Sequence, residues 1–292
     1  MTAAEFIYTV ILKPRPLKLI ANALIRRIIP KRLAVSGGVV VLNPRDPVVS
    51  GALTFGVYEK PETTFFCEAC KPGMTVLDIG ANVGYYTALA MARVAGGSII
   101  AMEPDEESFR YLQQTVHANG AVNTICVPKA AASQNGTVRL YTSTLNRADN
   151  RLYPNELASD SCDVEAVTVD SLLAELHVPS VDLVKIDVQG FEGHVLRGMR
   201  ATISQSPHLI ILIEFWPHGL RSAGTNPIEV LTEWEDMGLR LFELTHRSTL
   251  QPLSDKQGLV NRLPGKRYTN IVAYRGPGTP PLLDGRQPGG RL

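Results

Sequence analysis

The run Val184-Lys185-Ile186-Asp187-Val188-Gln189-Gly190-Phe191-Glu192 sets one cation and two carboxylates close together. The apolar residues that lead into it, from Val181, predict a strand buried on both faces, so the charges emerge where that strand ends. Charged groups at such a place are costly unless paired or put to use. One use is proton transfer: a carboxylate within hydrogen-bond reach of an alcohol can take its proton as the oxygen attacks an electrophile. The structural alternative is an ion pair, Lys185–Asp187 or Lys185–Glu192, that holds the loop. A second apolar run ends in Ile213-Glu214-Phe215-Trp216-Pro217-His218 and brings Glu214 and His218 to the same edge. In order of preference the candidate proton acceptors are Asp187, Glu192, Glu214 and His218. Gln189 carries no charge and is not a base. Another use of the carboxylates is to hold a divalent cation that lowers the acceptor's pKa, but no metal ligand is assigned.

The residues that would face a ligand lie earlier. Val76-Leu77-Asp78-Ile79-Gly80-Ala81-Asn82-Val83-Gly84-Tyr85-Tyr86-Thr87 reads as a strand ending in an acid, a glycine turn and the opening of a helix. In a parallel sheet such a turn lies at the carboxyl edge, where glycine lets backbone approach ligand and the next helix presents its N-terminus. The dinucleotide fingerprint needs glycines where this chain has Asn82 and Tyr85, so the loop does not suit a pyrophosphate. Ile99-Ile100-Ala101-Met102-Glu103-Pro104-Asp105 ends the next apolar run with an acid, 23 positions after Gly80. A carboxylate there can accept from both ribose hydroxyls. Asp105 and Glu106 fit a helix N-terminus better.

These residues need a sheet to hold them. Strands are predicted at Met74–Ile79, Ser98–Met102, Thr124–Pro128, Val181–Asp187, Leu209–Phe215, Arg240–Leu244 and Tyr268–Tyr274. Helices are predicted at Val83–Val94, Asp105–Asn119, Gly193–Ser204 and Pro227–Met237, with a shorter one at Glu62–Ala69. The alternation implies an α/β fold: a Rossmann-like, doubly wound, mostly parallel seven-stranded sheet with helices on both faces. Gly136–Thr142 and Asp163–Val169 read as an inserted hairpin around a loop at 143–161. Residues 1–55 read as an extension of amphipathic helices and a short strand, 56–275 as the main domain, and 276–292, rich in Pro and Gly, as a disordered tail. The segment 246–267 reads as a loop carrying Lys256, Arg262, Lys266 and Arg267.

A net charge of +1 over 292 residues gives no field toward nucleic acid. Four cysteines are too few for a disulfide scaffold, so a reduced, cytoplasmic setting is expected. Cys67 and Cys70 form a C-x-x-C pair without a second pair or histidines at ligand spacing, and read as two cysteines on one helix. No signal-peptide pattern and no apolar run of ~20 residues is present. Residues 1–32 are basic and amphipathic; they read as a lid helix over the domain or as a peripheral contact with an anionic membrane.

Asp78-Ile79-Gly80-Ala81-Asn82-Val83-Gly84-Tyr85-Tyr86-Thr87 resembles motif I of class I S-adenosylmethionine-dependent methyltransferases. With Lys185-Ile186-Asp187-Val188-Gln189-Gly190-Phe191-Glu192 it is similar to the FkbM family, whose signature there is K-I-D-V-E-G-x-E; Gln189 is the departure. The resemblance spans roughly 56–245. It implies S-adenosylmethionine as cofactor, with S-adenosylhomocysteine as product. The cofactor residues it implies are Asp78, Gly80, Ala81, Asn82, Gly84, Tyr85, Glu103, Ala130, Ala131 and Asp187. Glu103 would bind ribose, and Ala130 and Ala131 would line the adenine pocket. Tyr58 and Glu59 match a G-x-x-E that often precedes the domain. The implied activity is O-methylation of a hydroxyl on a sugar, glycolipid or polyketide-like metabolite. The alternatives are an NAD-dependent oxidoreductase and a non-catalytic membrane-surface adaptor on a methyltransferase-like fold. The sequence leaves the oligomeric state open.

Overall fold

The computed structural model describes residues 25–143, 147–154, 158–278 and 280. Arg32–Val35 (β1) and Gly38–Val41 (β2) form an antiparallel hairpin, followed by a short helix, Val49–Thr54 (α1). Lys60–Ala69 (α2) leads to Thr75–Ile79 (β3), Tyr85–Met91 (α3), Ser98–Met102 (β4), Glu106–Ala118 (α4) and Thr124–Val127 (β5). An insertion follows, built on Ala130–Ala131 (β6), Gly136–Thr142 (β7) and Asp160–Val167 (β8), which form their own sheet in the order β6-β8-β7. The chain then runs through Val169–Glu175 (α5), Leu183–Ile186 (β9), Glu192–Arg197 (α6), Arg200–Gln205 (α7), Leu209–Phe215 (β10), Pro217–Ser222 (α8) and Pro227–Asp236 (α9). Arg240–Leu244 (β11), Leu250–Pro252 (β12), Lys256–Arg262 (α10) and Thr269–Arg275 (β13) complete it.

The main sheet has eight strands, ordered β12-β11-β13-β10-β9-β3-β4-β5. From β10 to β5 every pairing is parallel, whereas β13 is antiparallel to both β10 and β11. The chain leaves β3 toward β4 and β5 and returns to place β9 on its other side. The strand order therefore reverses between β3 and β9, and a crevice opens at their carboxyl ends.

The period-two alternation of each strand divides its side chains between two cores. Leu77, Ile79, Val184, Ile186, Ile211 and Ile213 pack with α5, α6, α7, α9 and α10. Val76, Leu183, Ile210 and Leu212 pack with Phe65 and Phe66 of α2 and Leu89 of α3 on the other face. Asp78, Lys185 and Glu214 share the parity of this second set, so the sheet turns all three toward α2 and α3.

Several expectations need correction. The sheet has eight strands, not seven, because Leu250–Pro252 lies inside the segment read as a loop and pairs with the edge strand β11. The same segment holds α10, whose N-cap Asp255 accepts from the Gly258 amide at 2.7 Å. The helix expected over 193–204 is broken at Gly198, where a Cβ would lie 2.0 Å from the Ala132 carbonyl oxygen. Asp170 then caps α7 by accepting from the Ala201 and Thr202 amides. In the extension the described part is a helical stretch at 25–28, the β-hairpin, whose second strand overlaps the expected short strand, and α1; the helices expected before residue 25 lie outside the described residues. The hairpin's Val39 amide donates to Asn119, the C-cap of α4, and its Val41 amide to Thr115 within α4. Residues 1–24 and 281–292, with the membrane-contact and most of the tail expectations they carry, lie outside the described residues. Among the described residues no helix is long and apolar enough to cross a membrane.

Candidate active site

A cleft lies at the β3/β9 reversal. Its floor is the loop after β3, where Gly80, Asn82 and Gly84 all take left-handed backbone conformations. Gly80 meets a close approach as well: a Cβ there would stand 2.0 Å from the Asp187 carbonyl oxygen, so only glycine lets the two loops touch. Asn82 tolerates its positive φ as few other side chains do. Gly84, the N-cap of α3, packs on Leu112 and Thr115 and does not line the cleft. Asp78, Gly80, Ala81, Asn82, Tyr85, Glu103, Ala130, Ala131 and Asp187 all do.

Glu103 ends β4 and is held by two backbone donors, the Asn82 amide to Oε2 at 2.9 Å and the Asp105 amide to Oε1 at 2.8 Å. Each oxygen keeps a lone pair for a further donor. Burial raises its pKa to about 8 against those two hydrogen bonds. Asp78 accepts from the Thr87 hydroxyl at 2.6 Å and stands opposite Lys185 in the β3–β9 register. Burial raises Asp78 to about 6.

Beside the cleft the sheet carries a polar row, Asp78, Lys185, Glu214 and Asn270, the last opposite Glu214 in β13. Glu59 and Glu62 come down on it from the start of α2. Lys185 is 1% exposed, with its ammonium 3.8 Å from Asp187 Oδ2 and 5.2 Å over the Tyr86 ring. Burial alone would lower its pKa, but Asp187, Glu59, Glu214 and Asp78 outweigh that and raise it. Glu59 accepts from the Tyr86 hydroxyl at 2.6 Å, and burial lifts it to about 7. Burial, then Asp187 and Glu192, push Glu214 well above the usual range. Gln189 donates from Nε2 to Asp187 at 2.8 Å and to Glu214 at 3.3 Å. A glutamate at 189 has no proton to give to both, so the substitution joins two carboxylates that would otherwise repel.

Two expected bases sit elsewhere. Glu192 is buried beneath the loop after β9, accepting from the Gly190 amide at 3.0 Å and the Val188 amide at 3.3 Å. It shapes that loop and does not line the cleft. His218 is exposed on α8 beside the Trp216 ring, away from the cleft. Of the two ion pairs weighed, Lys185–Asp187 forms. Among the described residues no group of three or more His, Cys, Asp or Glu is arranged to hold a metal. Cys67 lies on α2 with Cys70 as its C-cap, and both are free thiols.

Sequence reasoning missed the cleft's outer wall, which the insertion supplies as Leu140, Arg147, Asn150 and Leu152. Arg147 donates to both oxygens of Asp105 at 2.9 Å and to Glu107 at 2.7 Å, fixing the insertion to the start of α4. Tyr153 donates to the Gln189 carbonyl at 2.7 Å, and Arg151 lies 4.8 Å over the Trp216 ring. The insertion is thus tied at both ends of the cleft. An arginine in a polar loop gives no sign of its partner; only the acids at the start of α4 were legible.

Residues 78–240 match the methyltransferase FkbM domain, more than half of the chain. A hexuronic acid methyltransferase of Haloferax volcanii is 25% identical over 154 residues, covering 52% of this chain; the chain spans 58% of that relative's length. Among solved structures, a putative O-methyltransferase from Klebsiella pneumoniae gives a TM-score of 0.43 at 16% identity, covering 88% of this chain and 97% of its own. A SAM-dependent methyltransferase from Aquifex aeolicus gives 0.40 at 18% identity, covering 74% and 88%. With the domain match extending from Asp78 at the end of β3 to Arg240 at the start of β11, the chain belongs to the FkbM family of S-adenosylmethionine-dependent methyltransferases.

Proposed function

We propose that the chain methylates a neutral sugar hydroxyl, with Asp187 as the proton acceptor. The cofactor, when bound, supplies a methyl group on a sulfonium, an electrophile strong enough that no covalent enzyme intermediate is required. The residues present fit it: Gly80 lines the cleft and lets the loop after β9 close against it, Glu103 keeps lone pairs for ribose hydroxyls, and Ala130 and Ala131 leave room for a purine. The chain's remaining work is to hold the acceptor oxygen in line and to receive its proton.

Asp187 is the cleft-lining carboxylate of the polar row that Lys185 and Gln189 both orient. The choice of a hydroxyl rests on charge. Beside the cleft Glu59, Asp78, Asp187 and Glu214 cluster about one buried lysine, so a further carboxylate brought among them is disfavoured. A neutral hydroxyl meets no such repulsion, and its proton has a receiver. The sugar class rests on the hexuronic acid methyltransferase relative.

The test is methyl transfer from labelled S-adenosylmethionine to a panel of hexosides and hexuronosides, followed by mild alkali. Label that survives alkali is an ether formed on a hydroxyl, as expected. Label released by alkali is an ester formed on a carboxylate, and that result refutes the hydroxyl reading.

A further inference from the structure

Asn150 is the odd member of the cleft wall. It follows a single 3₁₀ turn, Arg147–Asp149, in the insertion, and its Oδ1 accepts from the Ser143 amide at 3.0 Å. A backbone N–H can only donate, so this bond fixes which way the side-chain amide is turned. Nδ2 must be the other atom, and it is buried with no partner among the described residues. A buried amide donor left unpaired is costly. Apart from Arg147, whose guanidinium is taken up by Asp105 and Glu107, the insertion's side of the wall is apolar: Leu140 and Leu152 stand with Ala130 and Ala131 of β6. Lys129, the charge at that end of the cleft, is paired with Glu165 at 2.6 Å. No carboxylate from the β5–β6 turn reaches this wall to accept from an exocyclic amine.

We propose that Asn150 reads the base of the cofactor, its Nδ2 donating to a ring-nitrogen acceptor of adenine held in the apolar slot between Leu140, Leu152, Ala130 and Ala131. The inference rests on the methyltransferase reading and adds to it a specificity residue carried by the insertion rather than by the main sheet. Ser143 orients the amide, and the Arg147 contacts hold the segment that bears it. A flat heterocycle with acceptor nitrogens satisfies the orphan donor and suits the apolar side chains on either side of it.

The test is calorimetric titration of the full chain with S-adenosylhomocysteine and its 1-deaza, 3-deaza and 7-deaza analogues, each lacking one acceptor nitrogen. Wild type, Asn150→Leu and Asn150→Asp are compared. Asn150→Asp keeps the acceptor for Ser143 but replaces the donor by a charged acceptor, and Asn150→Leu removes both without a charge, so the pair separates base reading from support of the insertion. Losing one neutral hydrogen bond corresponds to roughly a three- to tenfold weaker Kd. Both variants are expected to lose that factor with the adenine ligand. One deaza analogue should bind wild type more weakly by the same factor and show no further loss in Asn150→Leu. Full affinity in Asn150→Asp, or equal losses on every analogue, overturns the proposal while leaving the methyltransferase reading intact. Failure of wild type to bind S-adenosylhomocysteine at all overturns both.

Discussion

Replacing Lys185 by methionine keeps the length of the side chain and removes the one cation under the polar row. The ammonium is 1% exposed and 3.8 Å from Asp187 Oδ2, which at an effective dielectric of 20 corresponds to about 4 kcal/mol of attraction. Burying the lysine offsets part of this, but removing one partner of a buried pair strands the other, typically at about 3–5 kcal/mol. The stranded groups can escape by taking protons, and the sign follows from that. Burial already lifts Asp78 to about 6 and Glu59 to about 7. Without Lys185 both rise further. In acid, near pH 5, the row is largely protonated, and a near-isosteric swap costs less than about 1.5 kcal/mol. Near pH 8 the carboxyls must ionise in a buried place without their cation, and the full loss of about 3–5 kcal/mol appears. Urea unfolding at several pH values, followed by the fluorescence of buried Trp234 and Trp216, reads this directly. A stability loss that is the same at pH 5 and pH 8, or below about 1 kcal/mol at pH 8, refutes the argument that Lys185 neutralises the row.

Wild type should itself lose stability as pH rises through about 6 to 8. Asp78, Glu59 and Glu103 have folded pKa values raised above their ordinary ones, so their contribution is full below the carboxyl range and is lost on passing through the folded values; urea midpoints that rise over this window would contradict it. Asp187→Asn should lower kcat by about a hundredfold or more while S-adenosylhomocysteine still binds, measured by steady-state kinetics beside calorimetry. Gly80→Ala places a methyl 2.0 Å from the Asp187 carbonyl oxygen at a φ of +82°. The backbone alone costs about 1–2 kcal/mol, and pushing the two loops apart should also abolish cofactor binding; wild-type affinity in this variant would refute the contact. Arg147→Ala frees Asp105 and Glu107 and should destabilise by about 2 kcal/mol, with faster protease cleavage in residues 136–167, seen by limited proteolysis and mass spectrometry.

The strand–glycine–helix turn at 76–87, the acid ending β4 and the Lys-x-Asp end of β9 are local patterns. Each depends on residues adjacent in the chain, and hydrophobic periodicity is enough to find them. That Asp78, Lys185 and Glu214 share a face depended on the register between β3, β9 and β10. The strand count failed at β12, a three-residue edge strand with too few residues to show a period. Partnership was decided by tertiary structure. Glu59 meets Tyr86 across 27 positions, Tyr153 meets Gln189 across 36, and Arg147 meets Asp105 across 42. Glu192, legible as a charge at the sheet edge, turns under its own loop because two backbone amides there need an acceptor. Residue types and spacing determined that carboxylates gather at the carboxyl edge of the sheet. Which of them face the cleft, which fold the loop and which donor is left for a ligand depended on packing between segments far apart in sequence, where burial makes every unpaired polar group costly.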